Sequence, residues 1–117
     1  MTGLTGYHAG LAAEEAVARD YLRRGHALRA RRWRGKGGEI DLILDRGALT
    51  VFVEVKKSGT LDTAAARLST RQMARLRVAA EEYLGGLPAG RDSEMRFDLA
   101  CVDATGHISV IENAITD

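Results

Sequence analysis

The sequence predicts an α/β fold, a sandwich in which helices flank a mixed central β-sheet. Two stretches, residues 8–24 and 70–84, carry apolar residues at helical spacing. Two others, residues 39–44 and 49–56, are apolar runs rich in branched side chains and separated by a short polar turn. With 117 residues and 45% apolar content, the chain has the length and the core of one domain, residues 1–117. The second helix must cross over the sheet before the next strand, which makes the sheet mixed.

The N-terminal part is predicted as a helix followed by an edge strand. Residues 8–24 are rich in alanine, leucine, glutamate and arginine, and Gly25 ends the helix. The predicted buried stripe of this helix is Leu11, Ala18 and Leu22. Residues 26–34 are predicted as a polar edge strand around Leu28, Ala30 and Trp33.

The two strong strands are predicted to form a hairpin around a four-residue turn. Side chains alternate between the faces of a strand, which puts Glu54 and Lys56 on the same face. If Leu44 lies opposite Leu49, Asp41 shares that face and is a diagonal neighbour of Glu54. A slip of one residue would send Asp41 to the other face, and the aliphatic pattern argues against it.

The C-terminal half is predicted to complete the sandwich. Residues 58–69 indicate a polar connection, and residues 70–84 indicate the second helix, with Thr70 as its N-cap. Its predicted buried stripe is Met73, Leu76, Ala80 and Tyr83. Two more strands are predicted at residues 96–103 and 107–111.

The distribution of charge says more than its sum, which is +1. Between residues 19 and 36 there are eight basic residues against one acid. A second basic group follows, and its members are Arg67, Arg71, Arg75 and Arg77. Basic patches of this kind suit a polyanion, although a solvated helix face and a charged edge strand would have the same composition.

Other features exclude several classes of protein. The single cysteine, Cys101, cannot form an intramolecular disulfide and lies in an apolar run, where a core thiol is expected. No apolar stretch is long enough to span a membrane, so we expect no membrane partner and a cytoplasmic location. The three histidines lack metal-ligand spacing and are predicted to be surface residues; they are His8, His26 and His107.

The shared face of the hairpin predicts a metal site. Asp41 and Glu54 would converge beside an apolar core, where like charges are costly unless a cation neutralises them. Carboxylate oxygens select hard ions, so the predicted cofactor is Mg²⁺ or Mn²⁺. Lys56 could then orient a water or stabilise charge in a transition state. A surface pair of Glu54 with Lys56 on an edge hairpin is the alternative.

Five stretches of the chain resemble one family. They are Glu15-x-x-Ala18-x-x-Tyr21-Leu22, Gly37-Gly38-Glu39-Ile40-Asp41-Leu42-Ile43, Val51-Phe52-Val53-Glu54-Val55-Lys56, Arg71-Gln72 and Arg96-Phe97-Asp98. This set resembles the YraN-like family (UPF0102), which itself resembles endonucleases with the restriction-endonuclease-like PD-(D/E)xK fold. The two central motifs are specific in combination. The resemblance implies a restriction-endonuclease-like sandwich.

The resemblance also implies roles for individual residues. Asp41 and Glu54 would be metal ligands together with the Val55 carbonyl, and Lys56 would be the catalytic lysine. Gln72 would approach the site from the second helix. Glu15 would reach the metal from the first helix. Glu14 is its alternative for the inward position, although spacing to Ala18 and Leu22 favours Glu15. Asp98 is expected to be structural and paired with an arginine.

The predicted function is metal-dependent hydrolysis of nucleic-acid phosphodiester bonds, with DNA as the expected substrate. The residues expected to contact nucleic acid are Arg31, Arg32, Arg34, Lys36, Lys57 and Arg71. A non-catalytic nucleic-acid-binding module on a nuclease scaffold is the alternative, and a structural protein is a third reading. A chain this small has little surface for a duplex footprint, so a homodimer is compatible with the sequence, which does not establish it.

Overall fold

The chain alternates helices and strands in the predicted order. A computed structural model describes residues 3–115, with side chains described from residue 10 onward. The helices are α1 (Gly3–Arg23), α2 (Leu61–Ala66) and α3 (Thr70–Gly85), and a 3₁₀ turn covers Gly90–Asp92. The strands are β1 (Ala27–Arg34), β2 (Glu39–Arg46), β3 (Leu49–Lys57), β4 (Met95–Val102) and β5 (Ile108–Ile111). No helix among the described residues is both long enough and apolar enough to cross a membrane.

One mixed sheet holds the five strands in the order β1-β2-β3-β4-β5. Strands β3 and β4 are parallel, and all other neighbours are antiparallel. A parallel pair needs a crossover, and α2 and α3 provide it between β3 and β4. The predicted α/β fold with a mixed sheet is therefore confirmed.

Helices cover both faces of the sheet. On one face Val17 and Tyr21 of α1 pack against apolar side chains of the central strands, including Leu42 and Val53. On the other face α3 packs against a second cluster, whose members include Ile40, Ile43, Phe52, Leu76, Ala80 and Phe97. Ile40 and Ile43 share this cluster although strict alternation would separate them. The backbone of β2 therefore departs from regular alternation next to Asp41.

The hairpin is tighter than the sequence indicates. Arg46 lies opposite Leu49, which leaves a two-residue loop with Gly47 at a φ of 61°. Leu44 consequently lies opposite Val51, and the predicted pairing of Leu44 with Leu49 is wrong by two residues. Because side chains alternate with a period of two, this shift keeps the side chains paired from Leu42 onward on their predicted faces, whereas Ile40 lies on the face opposite to Leu42 and Leu44.

Two predictions about the N-terminal segment are wrong. Of the predicted stripe of α1, Ala18 is buried as predicted and Leu11 is half-buried, but Leu22 is 45% exposed. The other buried side chains described in this helix are Ala13, Val17 and Tyr21. His26 is buried, because its ring lies edge-on to the Tyr21 ring and its Nδ1 lies 3.1 Å from the Tyr21 carbonyl oxygen. His107 is exposed as predicted, and the side chain of His8 lies outside the described residues.

The connection between β3 and α3 is more ordered than predicted. It contains the short helix α2, which begins after Thr60, whose hydroxyl accepts a hydrogen bond from the Thr63 amide. The N-cap of α3 is Ser69 and not Thr70, because the Ser69 hydroxyl accepts from the Gln72 amide at 3.0 Å. The buried residues of α3 are Leu76, Ala79, Ala80 and Leu84, with Met73 and Tyr83 half-buried. Cys101 is buried as predicted.

Candidate metal centre and active site

Asp41 lies where the pairing of β2 with β3 ends. The last paired residues are Leu42 and Val53, and beyond them the Asp41 side chain replaces the backbone of β2 as the partner of β3. Its Oδ2 accepts a hydrogen bond from the Val55 amide at 2.8 Å. The amide and the carbonyl of one strand residue point to the same side, so the Val55 carbonyl also faces this opening.

Glu54 brings a second carboxylate to the same place. It is 8% exposed on β3, and its side chain shares a hydrogen bond with that of Asp41. Burial and then the negative charge of Asp41 raise the pKa of Glu54 to about 7, against the opposing charge of Lys56. Burial also raises the pKa of Asp41, although the Val55 amide counteracts it. Two carboxylates thus converge where water cannot solvate both charges.

Lys56 and Gln72 complete a hydrogen-bonded cluster around Glu54. The Lys56 Nζ lies 3.3 Å from Glu54 Oε2. Gln72 donates from Nε2 to the same oxygen at 2.6 Å, and its Oε1 accepts from the Lys56 Nζ at 3.4 Å. The structure therefore brings Asp41, Glu54, Lys56 and Gln72 together, as the sequence predicts, although none of these distances tests a catalytic role.

The cluster opens into a cleft of about 310 Å³ between α3 and the loop before β2. The residues that line the cleft are Gly38, Glu39, Asp41, Glu54, Gln72, Arg75 and Leu76. Arg75 was not among the residues singled out as a site residue from the sequence. Its spacing of three residues from Gln72 is the signal that could have identified it, since such residues share a helix face.

The inward position on α1 belongs to Glu14 and not to Glu15. The Glu14 side chain is 14% exposed, whereas that of Glu15 is 43% exposed and forms an ion pair with Arg31. The charge of Glu14 also contributes to the raised pKa of Asp41. The preference for Glu15 as the inward residue is therefore wrong. It relied on Leu22, which lies on the outer side of the helix.

The arginines of β1 are all engaged by acids. Arg32 donates to both carboxylate oxygens of Glu14, at 2.9 and 3.2 Å, from a backbone with a φ of 47°. Arg34 pairs with Glu39 at 3.2 Å, and Arg31 pairs with Glu15. In contrast, three other predicted nucleic-acid contacts are exposed and make no ion pair with any described side chain; they are Lys36, Lys57 and Arg71.

A carboxylate on α3 holds the glycine-rich loop that leads to Asp41. Glu82 accepts hydrogen bonds from the backbone of Lys36 and Gly37, the latter at 2.9 Å, and these bonds lower the pKa of Glu82. A side chain at Gly37 would collide with Val78. The sequence indicates a turn here but not its partner, because the loop and Glu82 lie 45 residues apart.

The oxygen atoms of the cluster suit a small hard cation. Within the described residues, no three side chains among His, Cys, Asp and Glu are grouped closely enough to hold a metal by themselves. Asp41 and Glu54 nevertheless provide two carboxylates, and the Val55 carbonyl adds a third oxygen. Mg²⁺ is usually held by one or two carboxylates and keeps several waters, so this donor set fits it.

Asp98 lies in the middle of β4, opposite Val53 of β3, and is held by hydrogen bonds from other residues of the protein. It is 2% exposed and accepts from Arg96 Nε at 2.8 Å and from the Tyr21 hydroxyl at 2.6 Å. The Asn113 amide donates to it at 3.0 Å. The predicted pairing of Asp98 with an arginine is confirmed.

Comparisons with known proteins support the resemblance seen in the sequence. The model of a family described as "Uncharacterised protein family UPF0102" matches residues 13–102. A UPF0102 protein of Cereibacter sphaeroides strain KD131 is 57% identical over 97% of each chain. One from Ruegeria pomeroyi is 53% identical over 96% of this chain and 91% of its own. One from Roseobacter denitrificans is 47% identical over 98% and 89%, respectively. The chain therefore belongs to the UPF0102 family.

Proposed function

We propose that this protein is a metal-dependent endonuclease that hydrolyses phosphodiester bonds of nucleic acid, with DNA as its substrate. The observation that carries the proposal is the pair of carboxylates, Asp41 and Glu54, that share a hydrogen bond in a cleft beside Lys56. The resemblance of the two central motifs to PD-(D/E)xK nucleases supports the same assignment.

The carboxylate pair lacks sufficient positive charge of its own. When both acids are ionised, the negative charges of Asp41 and Glu54 face one ammonium group, that of Lys56. The charge of Glu14 adds to the repulsion at Asp41. Burying two negative charges without a cation to balance them costs free energy. The pair therefore favours either a shared proton or a bound cation. A divalent ion would offset this repulsion at neutral pH.

Each residue of the cluster has a separate role in the proposed hydrolysis. When bound, Mg²⁺ or Mn²⁺ would supply Lewis acidity toward a phosphoryl oxygen and lower the pKa of a water molecule. Asp41, Glu54 and the Val55 carbonyl would hold the ion. Gln72 fixes the Glu54 carboxylate and the Lys56 ammonium by hydrogen bonds to both. This arrangement leaves the ammonium of Lys56 to stabilise the negative charge that develops on phosphorus-bound oxygen.

The reaction is an in-line displacement. The oxygen of water forms a bond to phosphorus while the bond from phosphorus to the leaving sugar oxygen breaks. One proton of the water passes to solvent, and the leaving oxygen takes up a proton, which gives a phosphate monoester and a hydroxyl end. In this proposal the phosphodiester enters the cleft that Asp41, Glu54 and Arg75 line.

A cleavage assay tests the proposal. Labelled DNA substrates, including duplex and branched forms, are incubated with the protein in Mg²⁺, in Mn²⁺ and in EDTA. We expect cleavage in either metal and none in EDTA. Asp41→Asn and Lys56→Ala should each reduce the rate by about 100-fold or more, because each removes a group that acts on the reacting phosphate.

The matched control is Asp92→Asn. Asp92 is exposed in the 3₁₀ turn, so the same chemical change there should leave the rate unchanged. Cleavage that persists in Asp41→Asn and Lys56→Ala would reject the assignment of the site. Salt-sensitive DNA binding without turnover in any metal would instead favour the non-catalytic binding module.

A further inference from the structure

The two arginine-rich segments differ in the acids that surround them. Each arginine of β1 has an acidic partner contributed by α1 or β2, including Arg29, whose Nε lies 2.5 Å from Asp45 Oδ2. Between residues 63 and 80, in contrast, the sequence has four arginines and no acid. A phosphate that approaches β1 must compete with a carboxylate for each guanidinium, so the net attraction there is small.

On α3, Arg71 and Arg75 are exposed, and neither forms an ion pair with any side chain described in residues 10–115. They are four residues apart, which puts their Cα atoms about 6 Å apart on the same face of the helix. Gln72, between them, donates to Glu54. The two cations therefore lie on the helix that borders the carboxylate pair.

Of these two arginines, Arg75 is the one that borders the cleft of the carboxylate pair. It lines the same cleft as Asp41 and Glu54. The loop before β2 passes close to it, since a Cβ built on Gly38 would lie 3.4 Å from the Arg75 Cβ.

We propose that the DNA backbone lies along α3, with Arg71 and Arg75 binding successive phosphates and Arg75 positioning the phosphate at the cleft. This inference rests on the proposed function for the identity of the ligand. It also assigns a different role to β1. Arg31, Arg32 and Arg34 hold α1 and β2 to the sheet edge through their ion pairs and contribute little to phosphate binding.

The salt dependence of DNA binding tests this path. Fluorescein-labelled DNA duplex is titrated with the full chain in EDTA, so that no cleavage occurs, at several salt concentrations. Arg71→Gln and Arg75→Gln should each weaken binding roughly fivefold. Each should also reduce the slope of log affinity against log salt by about 1, because one phosphate contact is lost.

Two further variants make the test specific. Arg75→Lys keeps the charge and should retain the wild-type slope. Arg34→Gln removes an exposed arginine from β1, whose side chain is 79% exposed. It should change affinity by less than about twofold, because Arg34 is paired with Glu39. A loss in Arg34→Gln as large as that in Arg75→Gln would overturn the proposed path.

The outcomes also separate this inference from the proposed function. Binding through α3 by a protein that never cleaves DNA would reject the nuclease assignment and leave the path standing. Metal-dependent cleavage by the wild type, with unchanged DNA affinity in Arg75→Gln and Arg71→Gln, would reject the path and leave the nuclease standing. A wild-type chain with no affinity for the duplex would reject both.

Discussion

Asp98 and the pair of Asp41 and Glu54 lie on neighbouring strands of the same sheet, but their surroundings differ. Asp98 on β4 receives hydrogen bonds from Arg96, from the Tyr21 hydroxyl and from the Asn113 amide. Asp41 and Glu54 receive fewer donors and face each other, and the pKa of both is raised. The negative charge of Asp98 is thus offset by Arg96 and by hydrogen bonds within the protein. The pair of Asp41 and Glu54 needs a proton or a cation from solution. The difference separates a structural acid from a candidate functional one.

The largest expected effect is on stability, at Asp98. Asp98→Ala should lower the free energy of unfolding by about 3 kcal/mol. It removes the buried acceptor of the Tyr21 hydroxyl and the Asn113 backbone amide, and it leaves the Arg96 guanidinium with only its longer contact to Glu112. Urea unfolding monitored by circular dichroism measures this loss. Asp92→Ala, an exposed aspartate, is the control. A loss below about 1 kcal/mol in Asp98→Ala would contradict a structural role for Asp98.

Stability at the carboxylate pair should depend on pH in a defined direction. The pKa of Glu54 is raised from 4.5 to about 7, so the folded metal-free protein binds a proton that the unfolded chain releases. The stabilising contribution is complete below pH 4.5 and is lost as the pH rises through about 7. We expect the metal-free chain to lose on the order of 3 kcal/mol over this range from Glu54.

Glu54→Gln tests that pH dependence. The neutral amide cannot release the proton, so the difference in stability between about pH 5 and pH 8 should become smaller in the variant than in the wild type. Thermal unfolding in EDTA at both pH values measures the difference. Parallel pH profiles for the two proteins would contradict the raised pKa of Glu54.

A smaller effect is expected from the phenol that binds Asp98. Tyr21→Phe removes one of the hydrogen bonds to Asp98 and keeps the ring in the α1 core. The variant should lose about 1 to 2 kcal/mol of unfolding free energy, because the bond is buried and its acceptor is charged. Urea unfolding again gives the value. A Tyr21→Phe protein as stable as the wild type would show that Arg96 and Asn113 satisfy Asp98 without the phenol.

The smallest effect on stability is expected at the exposed ion pair of Arg34 with Glu39. Arg34 and Glu39 pair at 3.2 Å on the sheet edge, and the Arg34 side chain is 79% exposed. A double-mutant cycle with Arg34→Gln and Glu39→Gln should give a coupling energy of about 0.5 kcal/mol or less. A coupling energy above about 1 kcal/mol would show that exposure does not govern the strength of these pairs.

Much of the fold can be predicted from the sequence, because the spacing of apolar residues and the local composition determine which segments form helices and strands. Alternation predicts the face of the paired side chains of the hairpin, from Leu42 to Leu44 and in residues 49–53, and a shift of two residues leaves that face unchanged. It fails at Ile40, which packs on the face of Ile43. The exact register does not follow, because the turn before Leu49 could close over two or four residues. The structure closes it over two, with Gly47 in the left-handed region.

The site could be predicted as far as local patterns reach. Asp41, Glu54 and Lys56 lie on one hairpin, so their convergence is a local consequence of alternation. The spacing to Leu22 favours Glu15 over Glu14 for the inward position. Leu22 is exposed, however, and the buried residues Val17 and Tyr21 follow Glu14 by three and seven positions, which puts Glu14 on the buried face. The ion pairs of the β1 arginines depend on tertiary packing, since Arg32 and Glu14 lie 18 residues apart in sequence.

Mn²⁺ binding measured by calorimetry tests the central claim most directly. At about pH 7.5, and with DNA absent and then present, the wild type should take up Mn²⁺ at one site, because the ion replaces the shared proton of the carboxylate pair. The Asp41→Asn/Glu54→Gln double variant, folded by circular dichroism, should take up none at that site. Equal Mn²⁺ uptake by the two proteins, or none by the wild type under either condition, would contradict a metal site at Asp41 and Glu54.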